Sequence, residues 1–170
     1  GGIHFGMANE GPRVYVPIVD ILIDSVGKSF EGEKFSGLHA INAESGDVLW
    51  SQMTPTICEG KKKCNAGISA AVTAIPGVVF AGHLDGMLRA YDGFNGDILW
   101  EIDTSLDFET VNGYQAHGGS ISGPGPAVGD GHLLVNSGYD FGDQMPGSLL
   151  MTFSLQPLGG KSQKVWLKSD

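Results

Sequence analysis

Positive charge is scarce in this chain. Its 170 residues carry 10 Lys and Arg against 19 Asp and Glu, a formal net charge of −9. Phosphate recognition needs clustered Lys and Arg. The one basic run, Lys61-Lys62-Lys63, reads as a solvated loop, so nucleic acid is not an expected partner. Long apolar runs are missing too. None reaches the roughly 18 residues that a membrane-crossing helix needs, so no membrane span is expected. The opening residues, Gly1 to Met7, lack a basic segment followed by an apolar one, so no signal peptide is expected here. A mature or excised chain would look the same. No stretch has helical periodicity long enough to count as a helix.

Cysteine is nearly absent. Cys58 and Cys64 enclose the polar segment Glu59-Gly60-Lys61-Lys62-Lys63. A zinc site would need more thiols or imidazoles at short spacing. A disulfide closing this loop is expected, and it would imply an oxidising compartment. The alternative is two unrelated buried thiols.

Glycine, by contrast, is abundant, at 27 residues. Without collagen-like periodicity, so much glycine means many tight turns and suits an all-β chain. With 41% hydrophobic residues there is also enough apolar material for a core.

The turns are organised by a repeat. Ala40-Ile41-Asn42-Ala43-Glu44-Ser45-Gly46-Asp47-Val48-Leu49-Trp50 recurs without a gap as Ala90-Tyr91-Asp92-Gly93-Phe94-Asn95-Gly96-Asp97-Ile98-Leu99-Trp100. A degraded third copy runs from Thr152-Phe153-Ser154-Leu155 through a longer loop to Val165-Trp166. Each copy reads as a strand of period two, a turn whose Gly can take positive φ, and a second strand ending in Trp. The Trp falls at a fixed place, where it can pack between neighbouring units.

Upstream segments repeat as well. Gly2-Ile3-His4-Phe5-Gly6-Met7 aligns with Gly67-Ile68-Ser69-Ala70-Ala71-Val72. Val14-Tyr15-Val16 falls on Val79-Phe80-Ala81, with Leu133-Leu134-Val135 in the same role in the third unit. Four antiparallel strands in units of about 50 residues, with a fixed Trp, define blades of a β-propeller. A β-sandwich would leave the self-similarity unexplained. The predicted blades are 1–53, 54–105 and 106–170, about twelve strands. The small residues at 67–72 suit the crowded wall of a central channel. Closed propellers have about 4 to 8 blades, so three blades must meet further blades or neighbouring chains.

The pattern Ala-x-Asn/Asp-x-x-x-Gly-Asp-x-Leu-Trp resembles the tryptophan-docking repeat of quinoproteins. Residues 2–18, 67–104 and 108–139 resemble polyvinyl-alcohol dehydrogenases more specifically, above all in the string FETVNG…GGSISGPGP. The likeness covers nearly the whole chain and corresponds to the C-terminal part of the propeller. It implies an eight-bladed ring, pyrroloquinoline quinone held with calcium, alcohol oxidation, electron transfer to a cytochrome c, and a periplasmic or secreted location. In that chemistry the metal polarises the quinone and a carboxylate takes the alcohol proton. The chain has no CxxCH haem motif and no evident calcium ligands, so no catalytic residue and no metal ligand is assigned, and the segment alone is expected to be inactive. The competing reading is a non-enzymatic propeller of the same repeat, serving as a protein-binding scaffold.

Site residues are expected in the loops that join blades, 54–66 and 104–118, and in 19–36, 82–87 and 137–148. Asn112, His117 and Ser120 lie in or beside the specific string and could bond the polar edge of a flat cofactor. The alternative for them is ordinary turn and cap chemistry. His4 begins the first channel segment and could point inward, or be a satisfied interior histidine. Tyr139-Asp140-Phe141 reads as a surface loop that could wall a substrate site. Asn42 and Asp92 are assigned to turn hydrogen bonds, the three tryptophans to blade packing, and Asp103, Asp107 and Glu109 to a solvated loop.

If the disulfide forms, unreduced native protein should resist thiol alkylation and take up two alkyl groups only after reduction, as read by intact mass. Two freely alkylated thiols in the unreduced protein would refute it.

Overall fold

The structure, a computed structural model, describes residues 2–20, 35–55, 57–140, 142–154 and 164–167. Most of the predicted 19–36 loop, Phe141 and the turn of the third repeat fall outside these residues.

All regular structure is β. In chain order the strands are β1 (Ala8–Glu10), β2 (Arg13–Ile18), β3 (Gly37–Asn42), β4 (Val48–Met53), β5 (Thr73–Ile75), β6 (Val78–Gly82), β7 (Met87–Asp92), β8 (Ile98–Asp103), β9 (Asp107–Glu109), β10 (Gln115–His117), β11 (Ala127–Gly129), β12 (His132–Ser137), β13 (Leu149–Ser154) and β14 (Lys164–Leu167). They form three four-stranded antiparallel sheets, β1-β2-β3-β4, β5-β6-β7-β8 and β11-β12-β13-β14, and a separate β9–β10 hairpin. The sequential up-and-down order within each sheet is that of a propeller blade. The hairpin was read in the sequence as an irregular loop.

The two clear repeats fold alike to the level of single pairs. Ala40 faces Trp50 and Ala90 faces Trp100, and each ladder slips at the next residue, between Ala40 and Ile41 and between Ala90 and Tyr91. The cause is the shared turn. The Asn42 carboxamide oxygen accepts the amides of Glu44 and Ser45 at 2.8 and 3.3 Å, and the Asp92 carboxylate those of Phe94 and Asn95 at 2.7 and 3.2 Å. Gly46 and Gly96 then take φ of +79° and +81°, a region costly for a side chain. The third repeat departs from this register. Trp166 pairs with Leu150 rather than with Thr152, the residue aligned with Ala40 and Ala90.

The innermost strands are shorter than the sequence suggested. Gly2–Met7 and Gly67–Val72 are not ladder strands; β1 and β5 begin only at Ala8 and Thr73. Gly2 instead bridges to Val19 within its own blade, the two exchanging both backbone hydrogen bonds. The second segment bonds across blade boundaries: the Ile68 amide donates to Ile18 O at 3.2 Å and the Ala71 amide to Gly123 O at 3.0 Å. Small side chains at Ser69 and Ala70, both buried, permit that close approach.

Each junction holds one apolar cluster. Tyr15, Leu38, Ala40, Trp50, Ile68, Val79 and Tyr91 fill the first, and Leu88, Ile121, Leu133, Val135, Leu149 and Met151 the second. Trp50 locks the first junction. It is 8% exposed, and its indole N–H donates to Gly93 O at 3.1 Å. A Cβ on Gly96 would lie 2.6 Å from the indole ring, so the second blade's turn must be bare where the first blade's Trp packs. Trp100 has no such seat among the described residues. It is 38% exposed, meets Phe153 edge-on at 5.2 Å, and lines an apolar cavity of about 650 Å³ with Phe80, Leu133 and Phe153.

Trp50→Ala should therefore cost about 3–5 kcal/mol in unfolding free energy, the range for deleting a large buried aromatic. Trp100→Ala should cost clearly less, because part of that ring already meets solvent. Urea unfolding of both variants checks the order; equal losses would contradict the docking asymmetry.

Candidate functional site

Antiparallel order divides the ends of the blades. The turns β1–β2, β3–β4 and their equivalents share one end. The β2–β3, β6–β7 and β12–β13 loops share the other with the connections between blades. The described residues of the predicted 54–66, 82–87, 104–118 and 137–148 loops lie at this second end, and its chemistry is polar and closely tied.

The first inter-blade connection carries the disulfide. Cys58 and Cys64 are bonded, with an S–S distance of 2.09 Å and Cα atoms 5.3 Å apart. Lys62 and Lys63 are exposed, as expected of a solvated loop, but Lys61 is half-buried and two of the three lysines have acidic partners. Lys61 Nζ donates to Asp103 at 2.9 Å and to Ser105 at 3.0 Å, and Lys63 Nζ sits 2.9 Å from Asp143. The closed loop thus reaches the end of β8 and the β12–β13 loop. Burial opposes ionisation of Asp103, but the hydrogen bonds from Ser105 and Lys61 outweigh it and hold the carboxyl below its ordinary range.

Beside this brace lies a buried ionic cluster that the sequence reading missed. His83, Asp85 and Arg89 are all essentially inaccessible to solvent. Arg89 Nε donates to Glu101 at 2.9 Å, and its Nη1 lies 3.5 Å from Asp85. Asp85 also accepts the Met87 amide at 2.9 Å, and His83 Nε2 shares a 2.9 Å hydrogen bond with the Tyr91 hydroxyl. Burial is the main cause of every shift here. It drives the His83 imidazole well below its usual value, with the Arg89 cation adding to the effect. It raises the Asp85 carboxyl against the pull of Arg89, and it raises the Tyr91 phenol. Arg89 faces the first blade, on the same side of β7 as Tyr91. The signal in the sequence is a lone Arg within the otherwise apolar run Met87-Leu88-Arg89-Ala90-Tyr91; the structure buries that strand on both faces.

The second connection closes onto the third blade. Thr104 and Ser137 share a 2.6 Å hydroxyl hydrogen bond, and the Gly119 amide donates to Ser137 Oγ at 2.9 Å. Ser120 is fully buried. Its hydroxyl donates to Leu84 O at 2.6 Å and accepts the Met145 amide at 3.1 Å. That serine ties the β6–β7 loop to the β12–β13 loop.

The residues singled out in the sequence are not gathered in one place. Asn112 is exposed in the turn between β9 and β10, and His117 is exposed at the end of β10 with Nδ1 2.8 Å from Gly118 O. Ser120 lies inside. His4 is exposed and hydrogen-bonds Ser69 of the next blade at 3.0 Å. Tyr139 is exposed. Among the described residues no group of three or more His, Cys, Asp or Glu is placed to hold a metal ion. The residues present do not fit a calcium site, and no chemical step is derived through one. Among the described residues no helix is long and apolar enough to cross a membrane.

No family model matches the chain. A quinohemoprotein alcohol dehydrogenase from Comamonas testosteroni superposes on 98% of it with a TM-score of 0.61, at 20% identity and over 21% of that protein. With the blade topology and the docked Trp50, this defines a section of a β-propeller. The sequence goes further. The chain is 40% identical over 142 residues to a polyvinylalcohol dehydrogenase from Pseudomonas sp, covering 82% of the chain and 21% of the relative. It is 31% identical over 129 residues to the 1-butanol dehydrogenase (cytochrome c) of Thauera butanivorans, covering 75% of the chain and 17% of the relative. The chain belongs with the polyvinyl alcohol dehydrogenases and related quinoprotein alcohol dehydrogenases, and it spans about one fifth of the length of the relatives it matches.

The buried imidazole gives a pH test. His83 stays neutral in the fold, while in the unfolded chain it protonates near its ordinary value of about 6.5. Its contribution is therefore fully present above that pH and lost as the pH falls below it, by at most about 1.4 kcal/mol per pH unit. Urea midpoints of the native protein should fall between pH 7.5 and 5.5, and His83→Gln should flatten that dependence. An unchanged slope in the variant would assign the acid sensitivity elsewhere.

Proposed function

We propose that this chain is a section of a periplasmic or secreted alcohol dehydrogenase of the polyvinyl-alcohol type. The complete protein oxidises alcohol groups to carbonyls, using pyrroloquinoline quinone and calcium, and passes the electrons to a cytochrome c. The observation that carries this reading is the 40% identity to a polyvinylalcohol dehydrogenase, which extends over 82% of the chain. The relative named for cytochrome c supports the acceptor, and the disulfide suits an oxidising compartment.

The part played by these blades is wall and support. The remaining blades of the presumed eight supply the metal ligands and the catalytic base. Asn112, His117, Ser120 and His4 are proposed as cofactor-side residues. His117 and Asn112 would act through exposed polar groups. Ser120 would act indirectly, by holding Leu84 and Met145 in place.

Two measurements follow. The isolated 170-residue chain, with cofactor and calcium in excess, should give no dye-linked alcohol oxidation above a cofactor-only control; clear turnover would place the whole site inside these blades. In the intact protein, His117→Ala should weaken cofactor affinity more than it lowers the rate at saturation. A loss confined to the saturated rate would count against the assignment.

A further inference from the structure

The β9–β10 hairpin is surplus to the propeller. The sheets before and after it already have four strands each. It is nevertheless firmly built. Phe108 and Ala116 pack against the apolar cluster between the second and third blades. Thr110 is buried; its amide donates to Tyr114 O at 2.8 Å, and its Oγ1 accepts the Tyr114 amide at 3.1 Å. The Gly113 amide closes the turn on Thr110 O at 2.9 Å. At the base, Lys61 of the disulfide loop holds Asp103 and Ser105, and the Ser148 amide donates to His117 O at 3.0 Å.

This fixed arm presents apolar side chains to water. Leu106 is 57% exposed, Val111 43% and Tyr114 63%. Further blades would cover the free faces of the first and third sheets, whereas this arm belongs to a junction whose two blades are both present. Asp107, Glu109 and Gln115 are exposed among the apolar groups, and no Lys or Arg lies between Leu106 and His117.

We propose that the arm is a guiding subsite for an extended, neutral polyhydroxy hydrocarbon chain. This rests on the alcohol-oxidising reading above and deepens it. A chain of alternating methylene and carbinol carbons offers C–H faces to Tyr114, Val111 and Leu106, and hydroxyl donors to the neighbouring carboxylates and amide. Being neutral, it meets no repulsion from Asp107 and Glu109. An anionic polymer would. The competing occupant is a transiently docked electron acceptor, whose interface can be small; the choice of dye or cytochrome c in the test separates the two.

The test uses the intact protein and its Val111→Ser/Tyr114→Ser variant, with polyvinyl alcohol and a small secondary alcohol such as 2-butanol, a dye as acceptor, and polymer binding measured separately by calorimetry without turnover. The variant should raise the ratio of polymer KM to small-alcohol KM about tenfold and weaken polymer binding to match. Tyr114→Phe, which keeps the ring, should retain both. An unchanged ratio, or equal losses for both alcohols, overturns the proposal. So does a defect seen only when a cytochrome c replaces the dye, which would make the arm an acceptor contact. If the wild type binds the polymer through the arm but oxidises no alcohol, the arm stands and the enzyme reading falls. If the wild type binds no polymer, the arm falls whatever its activity.

Discussion

The structure depends on one contact, an indole laid on a glycine turn. Trp50 leaves the outer strand of the first blade, donates to Gly93 O and lies against Gly96. That fixes the distance and rotation between two sheets that share no ladder hydrogen bonds. With the junction set, Tyr15, Leu38 and Val79 meet in one cluster, and the loops at the opposite end come into register. The turn must satisfy its own amides to serve as a seat, which is the task of Asp92. A side chain at position 96 would both clash with the indole and strain the backbone. Docking surface and turn are therefore specified by the same few residues.

That economy explains which parts of the fold were legible. The gapless repeat at 40–50 and 90–100 encodes turn, bulge and docked Trp together, so strands β3, β4, β7 and β8 could be read directly. The channel segments could not. Gly2–Met7 and Gly67–Val72 both have strand-like composition, yet Gly2 makes only a single bridge to Val19, and the partners of Ile68 and Ala71 lie in adjoining blades; nothing local marks a hydrogen bond that crosses a junction. The hairpin at 107–117 was hidden by its shortness, since three-residue strands carry too few alternations to stand out. Lys61 and Lys63 looked solvated because their partners, Asp103 and Asp143, are about 40 and 80 residues distant in sequence and become neighbours only when three blades are stacked.

The third blade departs from the repeat in sequence, and the turn equivalent to the one that seats Trp50 lies outside its described residues. Its sequence lacks the matching Gly-Asp turn, Trp166 pairs two residues away from the aligned position, and Trp100 keeps a third of its surface in water. The second junction is held instead at its other end. Ser120 binds Leu84 and Met145, Ser137 binds Thr104 and Gly119, and the Ile121 amide donates to His83 O at 3.0 Å. Hydroxyl ties hold this junction where the long loops meet.

These ties bear on how the loop end of the molecule is set. A buried Arg89 between Asp85 and Glu101 is an expensive element, because each ion gives up hydration and only close pairing offsets the cost. Removing one partner would strand the other charge. The cluster is thus stable only in one geometry, and it touches the β6–β7 loop through Asp85 and His83. Ser120 carries that geometry on to the β12–β13 loop, and Lys61 carries the first inter-blade loop to the end of β8 and the base of the hairpin. Four connections from three blades are tied to one another by directional polar contacts rather than by apolar packing, which tolerates sliding. A surface that must hold a flat polar molecule or a long polar chain in a defined pose needs that kind of support, and the residues that provide it need not touch what is held.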